Sequence, residues 1–140
     1  MENSNFTENL KQVLYLAEKL AEAYGSSYIA SEHLLFGMLI KPECKAYKIL
    51  SVQGITAEKY EGNFVRTIDS GCIFKGYTPR TKLILQAAEQ FGRPTRTEHL
   101  LNTIANNDSC LAVRILRCMG TDFLRLFKDV EYSLNSETEQ

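Results

Sequence analysis

No stretch of this 140-residue sequence approaches the roughly 20 consecutive apolar residues that a membrane-spanning helix needs, and its opening, MENSNFTENL, has neither the basic flank nor the apolar run of a signal peptide. Charge of one sign is missing too. The sequence sets 16 Lys and Arg against 17 Asp and Glu, a formal net charge of −1, so it offers no general attraction to nucleic acid or anionic lipid. Cys44, Cys72, Cys110 and Cys118 are too few and too widely spread for a secreted disulfide framework, and no CxxC pair points to zinc or redox chemistry. They read as reduced thiols. Cys44, Cys110 and Cys118 lie within apolar helical patterns as small buried hydrophobes, and Cys72 lies in a loop. The expectation is one cytoplasmic domain, and at 44% hydrophobic and 24% charged the chain is long enough for a packed core.

A phosphate-binding ATPase loop is also lacking. G-x-x-x-x-G-K-[ST] needs its lysine to reach the phosphates, and the nearest approach, Gly71 to Tyr77 (GCIFKGY), places Tyr77 where that lysine belongs. ATP hydrolysis by that route is excluded, and the chain reads as a non-enzymatic binding domain with no cofactor. Histidine occurs twice, each time after a glutamate, as Glu32-His33 and Glu98-His99. The order is not His-Glu-x-x-His, and a zinc site or a histidine/carboxylate hydrolase would require two separate helices to converge. The reading adopted is a repeated structural role at equivalent helix starts, with no metal.

What the sequence does have is helical periodicity almost throughout. Leu10, Val13, Leu14, Ala17, Ala21 and Tyr24 recur at three- and four-residue steps, predicting a helix from Thr7 to Gly25. Further helices are expected from Glu32 to Ile40 behind an N-cap at Ser31, from about Glu43 to Gln53 before Gly54, and from Thr56 onward with Tyr60, Phe64, Val65 and Ile68 inward. Asp69 to Tyr77 breaks the period and reads as a connection. Thr78-Pro79 then restarts a helix whose stripe is Leu83, Ile84, Ala87, Ala88 and Phe91. Helices at about Glu98 to Asn106, Ser109 to Met119 and Asp122 to Leu134 follow, and Asn135 to Gln140 is a polar tail or the start of a linker.

The two halves are related. Shifted by 66 residues, Ser31-Glu32-His33-Leu34-Leu35 falls on Thr97-Glu98-His99-Leu100-Leu101, and Cys44, Ala46, Ile49, Leu50 and Gly54 fall on identical residues, giving 9 identities in 24 positions. Ordinary residue usage would give about one or two, so this is an internal repeat. The opening helices match at an offset of 71, pairing Phe6-Thr7 with Tyr77-Thr78, so the second copy is shorter by about one helical turn. Repeat one spans about 6–69 and repeat two about 77–134, within a domain covering 1–134.

F-T-E-N-L, S-E-H-L-L, Y-T-P-R-T-K and T-E-H-L-L occur in this order along almost the whole chain. In these motifs the sequence resembles the N-terminal domain of the Clp/Hsp100 AAA+ unfoldases, and most of all the ClpC branch. The resemblance implies an all-α fold: an eight-helix bundle of two four-helix repeats related by a pseudo-twofold axis. It also implies adaptor and substrate proteins as partners, an AAA+ ring in the parent chain and, through it, a ClpP-type protease. A free-standing accessory subunit that docks on the protease complex is the alternative.

The same resemblance implies a receptor for phosphorylated arginine. Glu32 and Glu98 would take the guanidinium, each beside the start of the other half's first helix, and the helix starts at Thr7 and Thr78, with Arg80 and Lys82, would take the phosphate. Taken alone, a carboxylate in a helix's first turn is also simple dipole stabilisation, and the positive run from Lys75 to Arg96 is also a solvated face. The residue before the hydroxyl departs from the family's usual glycine, being Ala30 in one copy and Arg96 in the other. Arg96 is placed to pair with Glu98 and fill that pocket, which leaves Glu32 as the favoured site. Phe6 and Tyr77, equivalent aromatics at the two helix starts, form either hydrophobic staples or an exposed apolar surface for adaptors.

Overall fold

The computed structural model describes residues 5–63 and 76–136. Among them are eight α-helices and no strand: α1 Glu8–Ala23, α2 Ser31–Leu39, α3 Lys45–Ser51, α4 Ala57–Glu61, α5 Pro79–Phe91, α6 Thr97–Ala105, α7 Leu111–Cys118 and α8 Phe123–Leu134. Of the expected connection from Asp69 to Tyr77, residues 69–75 with Cys72 lie outside the described residues, as do the inward positions Phe64, Val65 and Ile68 and the last four residues of the tail.

Helices α2 and α6 carry the repeated Glu-His-Leu-Leu and form the centre of the bundle; Leu34, Leu35, Leu100 and Leu101 are wholly buried. Around them, α1 packs on α2 and α5 on α6. The first of these contacts is close because α2 has Gly37 where α6 has Thr103. A Cβ at Gly37 would stand 2.8 Å from the Val13 carbonyl oxygen, so only glycine lets the two backbones meet there. The repeated glycines have a different reason: Gly54 and Gly120 adopt φ of 76° and 77°, the left-handed conformation that ends α3 and α7.

The halves are laced together by backbone. Just before α1, Thr7 N–H donates to the Thr95 carbonyl (2.9 Å) and Thr95 N–H to the Asn5 carbonyl (2.7 Å). In the equivalent place, Ile29 N–H donates to the Gly76 carbonyl (2.8 Å) and Thr78 N–H to the Ile29 carbonyl (3.1 Å). Each half's first helix therefore starts beside the segment leading into the other half's Glu-His helix.

Several expectations need correction. Ser31 is not the N-cap of α2; that residue is Ala30, as Arg96 is for α6, and neither side chain caps its helix. The capping is done from within, where His33 Nδ1 accepts the Ala30 N–H and His99 Nδ1 accepts the Arg96 N–H, both at 2.9 Å. The Ser31 hydroxyl instead accepts the Ala112 N–H of α7 (3.4 Å), and the Thr97 hydroxyl accepts the Ala46 N–H of α3 (3.3 Å). Each repeated hydroxyl thus caps a helix of the opposite half. Cys118 is exposed rather than buried, because it shares the outer stripe of α7 with Leu111 and Arg114, away from Ala112, Ile115 and Leu116. On α5 the buried stripe is Thr81, Ile84, Leu85 and Ala88, while Leu83, Ala87 and Phe91 are exposed.

Candidate functional site

The backbone lacing creates two equivalent corners. In one, the segment leading into α2 and its first-turn Glu32 pairs through Ile29 with Thr78 at the start of α5; in the other, the segment leading into α6 and its first-turn Glu98 pairs through Thr95 with Thr7 at the start of α1. The equivalence extends to side chains. Arg80 donates from a guanidinium nitrogen to the Ser109 carbonyl (3.1 Å), and Asn9, at the matching position, donates to the Glu43 carbonyl (3.4 Å). Thr7 and Thr78 hydroxyls accept the Leu10 and Thr81 N–H groups, so both cap their own helices. Lys82, one turn further along α5, is exposed.

In their electrostatics the corners differ. The Glu98 side chain is entirely buried, and one of its oxygens receives two groups, the Arg96 guanidinium at 2.6 Å and the Ser133 hydroxyl at 2.7 Å, with the chain end of α8 closing over them. The same guanidinium donates to the Ser133 carbonyl (3.0 Å) and the Leu134 carbonyl (3.4 Å). The other Glu98 oxygen, Oε1, is buried with no hydrogen-bond partner. In the first corner the residue matching Arg96 is Ala30, and no Lys or Arg among the described residues forms an ion pair with Glu32.

Glu32 is half-buried, with Ser31 Oγ 3.5 Å from its Oε1. Burial raises its pKa above the usual carboxylate value, against opposing hydrogen bonds from backbone and from Ser31. The corner is floored by Tyr60, a buried phenol whose hydroxyl donates to the Glu32 carbonyl (2.8 Å) and whose pKa is pushed up by burial and by the Glu32 charge. Tyr60 and Asn9 were not visible as site residues in the sequence, since neither repeats in the other half.

Both histidines use Nδ1 for a backbone N–H. His33 is buried, and burial lowers its pKa to about 4; His99 is also lowered by burial and stacks edge-on against Phe91 with centroids 5.0 Å apart. Gly92 leaves room for this ring, since a Cβ there would overlap the imidazole.

The aromatic pair does not form an exposed surface. Phe6 is 4% exposed and belongs to the core, held inward by the pairing of its backbone with Thr95, while Tyr77 is half-buried against the same core. Phe6 is therefore removed from the candidate adaptor surface.

The described residues form a pseudo-twofold all-α double repeat with a Glu-His pair at each of two reciprocal helix starts. The Clp repeat (R) N-terminal domain family matches residues 5–94, and the chain belongs to that family. It is 29% identical over 143 residues to the ATP-dependent Clp protease ATP-binding subunit ClpA homolog of Cyanidium caldarium, covering 96% of this chain and 17% of that protein. It is likewise 29% identical over 139 residues to the negative regulator of genetic competence ClpC/MecB of Bacillus subtilis (strain 168), covering 94% and 17%. The N-terminal domain of the caseinolytic protease associated chaperone ClpD from Arabidopsis thaliana superposes with a TM-score of 0.79 at 21% identity, over 96% of this chain and all of that one. The chain thus spans about a sixth of the length of the relatives it matches in sequence.

Proposed function

We propose that this chain is the receptor domain of a cytoplasmic Clp unfoldase, capturing adaptor proteins and marked substrates for an AAA+ ring and a ClpP-type protease. Its mechanism is tethered capture, in which the domain raises the local concentration of substrate at the ring without chemistry of its own. The mark is a phosphorylated arginine, read at the Glu32 corner. A carboxylate accepts the guanidinium in paired charge-assisted hydrogen bonds, and the start of α5 with Arg80 takes the phosphate.

The observation that carries this reading is the contrast between the corners. Arg96 already places a guanidinium on Glu98, which demonstrates the chemistry such a carboxylate performs in this fold. Ala30 stands at the matching position, so Glu32 is the acceptor left for a guanidinium from outside. The reading therefore expects a single site per chain. Calorimetric titration with phosphoarginine, with arginine and inorganic phosphate as separate controls, tests it. Saturable binding of the combined ligand at one site, lost in Glu32→Ala with helical circular dichroism and melting nearly unchanged, supports the proposal. No binding, or binding that survives Glu32→Ala, removes it.

A further inference from the structure

Helix α3 from the first half packs against α8 from the second, and a cleft of about 340 Å³ runs along their junction. On α3 it is lined by Lys45, Lys48 and Val52, which share one face at three- and four-residue steps, with Ile49 in its floor. On α8 the lining stripe includes Arg125, Asp129 and Tyr132. Three cations thus face one carboxylate, and that carboxylate is already engaged, Arg125 Nε lying 3.6 Å from Asp129 Oδ2. Lys48 is exposed and forms no ion pair among the described residues. The local excess is positive in a chain whose net charge is −1.

The apolar content of the cleft is equally unusual. Tyr132, 76% exposed, is the most exposed large apolar residue among the described ones, and Val52, 57% exposed, sits on the opposite bank of the same groove. The equivalent surface of the other half is different in kind, because Lys45 and Val52 correspond to Leu111 and Cys118. Nothing in the Glu32 corner contributes to this cleft.

From the pairing of spaced cations with exposed apolar walls, we infer that the α3/α8 cleft docks an acidic segment of a partner protein, with one or two large apolar side chains between its carboxylates. The volume holds side chains of that number, and the apolar ones cover Val52, Ile49 and the Tyr132 ring. Carboxylates spaced along an extended chain reach Lys45 and Lys48, and a further one competes with Asp129 for Arg125. Nucleic acid would leave the apolar banks unused.

The test is fluorescence anisotropy of the chain with a fluorescein-labelled hexapeptide, Glu-Asp-Leu-Phe-Glu-Asp, and with its charge-inverted counterpart, Lys-Lys-Leu-Phe-Lys-Lys. The acidic peptide is expected to bind saturably and to weaken as salt rises from about 50 to about 300 mM. Lys48→Glu and Arg125→Glu should each lower its affinity about tenfold or more, while Lys19→Glu, on the exposed face of α1, and Glu32→Ala should leave it unchanged. All four positions lie at least partly on the surface, and circular dichroism checks that each variant keeps its helices. No saturable binding, equal binding of the inverted peptide, or insensitivity to both charge reversals overturns the inference. So does displacement by tripolyphosphate at matching concentration, which would make this a small-anion site, or binding seen only with chain dimerisation, which would make it a contact between two copies. Because Glu32→Ala belongs to the other site, failure here and failure of the phosphoarginine reading are told apart.

Discussion

The capping histidine makes stability depend on pH in a way that can be worked through. His33 Nδ1 accepts the Ala30 N–H at 2.9 Å, which requires a neutral ring, and burial lowers its pKa from 6.5 to about 4. Because the folded value lies below the unfolded one, the unfolded chain binds the extra proton between those two values. The contribution is complete above pH 6.5 and is lost progressively as pH falls toward 4. At about 1.4 kcal/mol for each tenfold change in protonation, the whole span is worth roughly 3 kcal/mol, and roughly 2 kcal/mol is gone by about pH 5. His99 is lowered as well and adds in the same direction, whereas Glu32, whose pKa burial raises, works in the opposite one. Urea unfolding followed by circular dichroism between about pH 7.5 and about pH 5 stays above the range where most carboxylates titrate. His33→Gln is the informative comparison, since a glutamine at the third helical position can still accept the capping N–H but does not titrate. The variant should be less stable than the parent at pH 7 and should lose much less as pH falls. Equal pH slopes for the two proteins would refute the assignment of His33 as a neutral cap.

Other consequences follow from the same contacts. Ser31→Ala should cost about 1 kcal/mol, and more than Thr97→Ala. Cys44 Sγ still accepts the Tyr47 N–H at the start of α3, but Cys110 makes no such bond for α7; thermal melts of the two variants give the order. Arg96→Ala strands the buried Glu98 carboxylate and should cost about 3–5 kcal/mol, whereas Arg96→Met with Glu98→Leu should recover most of that loss in denaturant titrations. Gly37→Ala places a methyl group 2.8 Å from the Val13 carbonyl and should cost about 1–3 kcal/mol, while Gly62→Ala, whose nearest neighbour would be at 3.4 Å, should change the melting temperature little.

Periodicity and punctuation carried the sequence a long way. The stripe from Leu10 to Ala21, Thr7 and Thr78 as N-caps, Pro79 at the first helical turn and the paired glycines at 54 and 120 act through neighbours a few residues away, so their consequences are written in local order. The repeat itself, with its reciprocal Glu-His pairs, made the pseudo-symmetric bundle legible, and Arg96 two residues before Glu98 was close enough in sequence to announce its ion pair.

What the sequence could not settle was which partner each polar group would choose across the interface between halves. Ser31 and Thr97 stand where a local N-cap would stand, yet their hydroxyls reach α7 and α3, because the reciprocal packing of α2 and α6 brings those helix starts within hydrogen-bond distance. The task of capping α2 and α6 then falls to the imidazoles at the third position. Phe6 had equal claim to surface and core until its backbone paired with Thr95. Cys118 and Leu83 satisfied an apolar pattern that the packing of α7 and α5 did not use, since a helix's period fixes which residues share a face but not how that face is turned toward its neighbours. The inequality of the two corners is likewise tertiary. Ala30 and Arg96 differ by one side chain in the sequence, but only the end of α8, folding its carbonyls and the Ser133 hydroxyl over the Arg96 pair, closes one corner, while Glu32 in the other stays half-buried.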